Sequence, residues 1–97
     1  GEVIVQKGAP GNCMYFISSG QVQVNLADRP VFLQAGDFFG EIALIEHGSR
    51  TASVTTVTSC QLLMLDELDF VELMESDEVL AADIKRIAEE RRAELNS

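Results

Sequence analysis

Residues 38–54 read FFGEIALIEHGSRTASV, and this stretch decides how the rest of the chain is organised. It opens as an apolar run, turns through Gly40, carries Glu41 into a second apolar run, and reaches Arg50 just before Thr51-Ala52-Ser53-Val54. Such hydrophobicity belongs in a core, yet an unpaired carboxylate or guanidinium is costly to bury. Glu41 and Arg50 therefore need partners. The pattern predicts a strand passing through glycine into a short helical turn, Glu41–Ile45, with a strand resuming after Arg50.

Working outward, Gly8, Gly11, Gly20, Gly36, Gly40 and Gly48 punctuate short strand-like runs, the spacing of an all-β roll or barrel. Glu2-Val-Ile-Val, Met14–Ser18, Val31–Gln34, Thr51–Val57 and Cys60–Leu65 all read as strands. Gln21-Val-Gln-Val-Asn-Leu alternates and places Val22, Val24 and Leu26 on one face. The period changes at Asp66, which can cap a short helix over 67–75 with Leu68, Val71 and Met74 among its apolar residues. Ser76 and Asp77 offer caps for a longer helix over 77–95. Its stripe of Leu80, Ile84, Ile87 and Leu95 has Arg91 at its centre, while Arg92 falls outside. Arg91 is open to two readings: a stem lying on apolar surface with its head in water, or a cation aimed at something in the site.

Composition narrows the function. Ninety-seven residues suit one domain, and no apolar run is long enough to span a membrane or serve as a signal peptide. The chain begins without Met inside a strand-like segment, as a piece of a longer protein would. Seven basic against sixteen acidic residues make a surface that repels nucleic acid and anionic lipid. Before Asp66 the cations are Lys7, Arg29 and Arg50, so an anion site in that half rests on one of them. Cys13 and Cys60 fit no metal or redox spacing, Cys60 reading as a core thiol. The single His47 reads as a solvated loop residue and cannot build the multi-histidine site of a β-roll metalloenzyme. No base–nucleophile pair suggests hydrolysis, and the expectation is of no enzyme and no cofactor.

A helix N-terminus after glycine exposes backbone N–H groups, and a guanidinium at the same point grips phosphate oxygens through its planar fork. Glu41 would then accept hydrogen bonds from hydroxyl groups of the same ligand, which describes a sugar phosphate or nucleotide. The residues alone equally allow a buried Glu41–Arg50 ion pair.

Phe39-Gly40-Glu41-Ile42-Ala43-Leu44 and Arg50-Thr51-Ala52-Ser53-Val54 closely resemble the phosphate-binding cassette of the cyclic nucleotide-binding domain family. Gly1-Glu2-Val3-Ile4, Gly8 and Met14–Gly20 resemble that family's opening strands, so the likeness covers essentially the whole chain. The family usually has a helical segment before the roll, which is absent here. The resemblance implies an α+β, mainly β fold: an antiparallel β-roll or jelly roll with a short cassette helix and two C-terminal helices. It implies a single domain over 1–97, with roll 1–66, cassette 39–54, short helix 67–75 and lid helix 77–95. Arg50 would bind the cyclic phosphate of cAMP or cGMP, with Gly40 and the backbone around Ile42, Ala43 and Ala52 against the ligand. Glu41 would bind the ribose 2′-hydroxyl, Thr51 a syn guanine, and Val24, Val31 and Leu33 the purine. Arg91 would lie against the purine from the lid, with Leu95 covering it. The chain looks most like cytoplasmic domains of prokaryotic cyclic nucleotide-regulated potassium channels. The implied partner is an upstream effector of the same chain, a channel in the cell membrane, with no membrane contact by this fragment. Kinase regulatory subunits and transcription regulators share the cassette, and a degenerate module that binds nothing is the other alternative.

Overall fold

The structure is a computed structural model and describes residues 1–95. Along these residues run β1 (Val3–Val5), β2 (Cys13–Ser19), β3 (Gln21–Asn25), β4 (Pro30–Gln34), β5 (Phe38–Phe39), α1 (Glu41–Glu46), β6 (Ser53–Thr56), β7 (Gln61–Asp66), α2 (Glu67–Ser76) and α3 (Glu78–Leu95). One sheet has the order β1-β6-β3-β4 and the other β5-β2-β7, with every pairing antiparallel. This is the antiparallel roll with three helices that the sequence led us to expect.

Three layers follow from the side-chain pattern of β2. Because successive strand residues point to opposite faces, Ile17 and Tyr15 pack between the sheets with Val5, Val22, Phe39 and Val54. Met14 and Phe16 point the other way and join Phe38, Leu44, Phe70 and Ile84 under the helices. Both faces of β2 are covered, which is why Met14–Ile17 reads as a continuous apolar run rather than an alternating one. Pro30 opens β4, an edge strand, where its missing N–H leaves no ladder bond unmade.

Both later helices are capped by aspartate. The Asp66 carboxylate accepts from the Asp69 N–H at 2.8 Å and the Asp77 carboxylate from the Leu80 N–H at 3.0 Å, each worth about 1 kcal/mol. Asp77, not Ser76, is the second cap; the Ser76 hydroxyl donates back to the Leu73 carbonyl instead.

Three sequence expectations change. The buried side of α2 is Phe70 with Leu73 and Met74, whereas Leu68 is 81% exposed and Val71 is exposed as well. Both sets satisfy helical spacing, and the position of the three-stranded sheet decides between them. The strand after Arg50 begins at Ser53 rather than Thr51, because Arg50 bonds back to the first loop: its N–H donates to the Ala9 carbonyl at 2.8 Å and its carbonyl accepts from the Gly8 N–H at 2.9 Å. Cys60 precedes β7 and is only half-buried, its thiol directed to the Gln21 carbonyl at 3.3 Å. On α3 the buried residues are Ala81, Ile84 and Ala88, flanked by half-buried Leu80 and Ile87. The two alanines let the helix approach closely.

Candidate functional site

The stretch that opened the sequence forms the floor of a cavity. β5 ends at Phe39 and the chain turns at Gly40, whose φ of 90° lies in the left-handed region open to glycine. α1 then runs from Glu41 to Glu46 and stops at His47, itself left-handed at φ 53° and exposed. The short loop after it delivers Arg50 beneath the start of α1.

Arg50 is 7% exposed. Its Nη1 donates to the Gly40 carbonyl at 3.1 Å and its Nη2 to Cys13 Sγ at 3.4 Å. Glycines frame it on two sides: a Cβ on Gly40 would stand 2.7 Å from Nη1, and one on Gly11 would stand 2.4 Å from Ala43 Cβ and 3.0 Å from Arg50 Nε. No carboxylate lies within ion-pair distance of Arg50 among the described residues. The alternative of a Glu41–Arg50 ion pair is thus not what the chain adopts, and a buried cation keeps N–H groups in hand for an anion.

Glu41 is paired instead across fifty residues of sequence. Arg91 Nη1, from α3, donates to Glu41 Oε1 at 2.6 Å. Oε2 is buried and has no hydrogen-bond partner, an arrangement that costs free energy until something donates to it. Burial holds the carboxyl, 1% exposed, above the ordinary carboxylate range, against the opposing pull of Arg91 and, more weakly, Arg50. The Arg91 guanidinium also sits over the Phe38 ring, 5.1 Å from its centroid, within cation–π range. Arg91 is therefore not a solvated stem but a cation aimed into the site, the second of the two arrangements its spacing left open. It clasps the site carboxylate. Arg92, which the helical wheel left outside the stripe, pairs with Glu46 of α1, and Arg29 reaches Glu94 at 3.6 Å.

Above this floor lies a cavity of about 250 Å³. Gly40, Glu41, Ile42 and Ala43 line it with Arg50, Thr51 and Ala52; Val24, Val31 and Leu33 form its apolar wall; Arg91 and Leu95 close it from α3. Every residue that the sequence assigned to ligand binding thus lines one cavity. Leu26 and Ile87 also line it, and both stood in the apolar patterns of their elements. Gly11 and Cys13, which seat Arg50, carried no signal: one read as turn punctuation, the other as an unassigned thiol. An acceptor for a hydroxyl, a donor set for an anion and an apolar wall for a flat ring make a nucleotide-shaped chemistry.

The family described as the cyclic nucleotide-binding domain matches residues 1–77. A protein of Rhizobium etli described as a cyclic nucleotide-gated potassium channel is 46% identical over 92 residues, covering 95% of this chain and 26% of that protein. Among solved structures, the catabolite activator protein of Thermus thermophilus matches at 30% identity with a TM-score of 0.76, covering 99% of this chain and 50% of the other. The cAMP-bound form of the EAL enzyme Bd1971 matches at 27% identity and a TM-score of 0.72, over 98% of this chain and 27% of that one.

Proposed function

The chain belongs to the cyclic nucleotide-binding domain family, and from that premise we propose that its cavity takes cAMP, with cGMP as a second ligand, and turns occupancy into a movement of α3. The observation that carries the reading is a pair of unmet demands on two residues that line the cavity: a buried guanidinium with no carboxylate partner among the described residues, and a buried carboxylate oxygen with no donor. One ligand meets both only if it joins an anion to a hydroxyl. In this assignment Arg50 holds the cyclic phosphate, assisted by the backbone of Gly40 to Ala43. Glu41 Oε2 takes the ribose 2′-hydroxyl, Thr51 takes the guanine of cGMP in the syn conformation, Ala52 lies against the ligand, and Val24, Val31 and Leu33 pack on the purine. The roll 1–66 holds the nucleotide, its cassette at 39–54, and the helices beyond it are the responding part.

The domain is a non-catalytic regulator. In this reading α3 lifts and closes on the ligand, because Arg91 and Leu95 line the cavity from that helix and the Arg91–Glu41 clasp holds it down. The shift in the open–closed equilibrium is bounded by the difference in ligand affinity of the two states. The chain spans about a quarter of the Rhizobium protein's length. The effector we assign is a potassium channel joined to this domain, which then sits on the cytoplasmic side of the membrane; among the described residues no helix is long and apolar enough to cross it.

Calorimetric titration with cAMP, cGMP and 2′-deoxy-cAMP tests the reading. Binding of both natural nucleotides and a weaker 2′-deoxy ligand are expected. No binding, or equal binding of the deoxy ligand, would overturn it.

A further inference from the structure

Arg50 has a seat, and one part of it has no ordinary electrostatic purpose. We propose that Cys13 is a positioning residue for the phosphate-binding guanidinium, holding Arg50 in place with a neutral acceptor that leaves its charge unspent. The inference rests on Arg50 being the phosphate ligand. Cys13 is the first residue of β2, 8% exposed, on the face of that strand turned toward Arg50. Its sulfur accepts from Nη2 while the Gly40 carbonyl accepts from Nη1, so the two terminal nitrogens are pinned by two different elements. Tyr15, two residues along the same face, lies against the thiol as well. Cys13 and then burial push its phenol up, while Arg50 pulls it down.

The choice of sulfur has a physical reason. An aliphatic side chain at position 13 would leave a buried N–H of Arg50 unpaired, which costs free energy and loosens the fork. A carboxylate would pair the guanidinium permanently, and an incoming phosphate would have to break a buried ion pair. A thiol is a weak, uncharged acceptor. It fixes orientation and competes little with the ligand.

The experiment is titration of the domain with cAMP and with adenosine, which lacks the phosphate, alongside ligand-free melting. Cys13→Val is expected to weaken cAMP binding about three- to tenfold, the worth of one ordinary hydrogen bond since the thiol is a weak acceptor, and to move adenosine by less than about twofold. Cys13→Ser, which keeps an acceptor, recovers most of the loss. Cys13→Asp weakens cAMP more than valine does. In an Arg50→Leu background, Cys13→Val has no further effect on cAMP. Should valine destabilise the fold, Cys13→Ala makes the same comparison without added bulk. Equal losses for cAMP and adenosine, an unchanged cAMP affinity, or a loss that persists in the Arg50→Leu background overturns the inference alone. Failure of the wild-type domain to bind cAMP overturns the nucleotide reading and the inference with it.

Discussion

Arg50 brings into the interior of the empty domain a charge with two neutral acceptors, and its replacement tests what that charge does. Arg50→Leu removes a buried cation that has no carboxylate partner among the described residues. We expect ligand-free melting to hold or rise, because apolar replacement of an under-paired buried charge is often stabilising. Affinity for cAMP should fall by about 2 to 5 kcal/mol, as when one partner of a desolvated charge pair is truncated. Titration and melting of one variant give both readings, and a fall in stability without loss of affinity would make Arg50 structural. Arg50 and Glu41 were legible in the sequence because charge interrupts an apolar run there. Cys13 was not: a neutral thiol breaks no pattern, and its importance comes only from the guanidinium that a distant loop brings to it. The partner of Glu41 was equally hidden, because Arg91 shares no local spacing with it and meets it only once α3 has docked.

At the scale of elements, the clasp of α3 to α1 separates two neighbouring arginines. Arg91→Ala strands a buried carboxylate, and we expect it to destabilise the empty domain by about 1 to 3 kcal/mol, below the range for a fully buried pair because the Arg91 side chain is 26% exposed. Arg92→Ala breaks a pair open to water at both ends and should cost under about 1 kcal/mol. Melting both variants at neutral and at mildly acidic pH checks the assignment. Glu41 has a raised folded-state pKa, so the stability linked to it is present below the unfolded value and lost as pH rises through the folded one. The Arg91→Ala deficit should therefore shrink on acidification, while the Arg92→Ala deficit should not follow Glu41. α2 supplies a second comparison: Phe70→Ala should cost about 3 to 5 kcal/mol by opening the core, and Leu68→Ser within about 0.5 kcal/mol. Denaturant midpoints decide it, and equal effects would restore the Leu68 face as the buried one. The sequence could announce this helix and its cap, but its two candidate apolar faces were equivalent until β2 and β7 were in place.

For the molecule as a whole, the proposed site makes ligand and proton competitors for one carboxyl. Burial favours the protonated form of Glu41, and a ribose hydroxyl donating to Oε2 favours the ionised form. Binding of cAMP should therefore weaken as pH falls through the folded-state pKa and release protons in that range. Titrations in two buffers of different ionisation enthalpy would register the release, and identical apparent heats would deny it. The roll was foreshadowed by glycine spacing and strand alternation and the cavity lining by the resemblance to the family's cassette, whereas the lid's clasp was not, since it is built from contacts between distant parts of the chain. One further consequence lies in the peptide of Arg50, hydrogen-bonded on both sides to the loop that follows β1, itself laddered to β6. A displacement of the first strand would therefore act on the bonds that anchor Arg50, the residue proposed to hold the phosphate. The first strand and the loop after it are thus wired to the cassette arginine and to the four-stranded sheet, and not to the sheet of β5, β2 and β7.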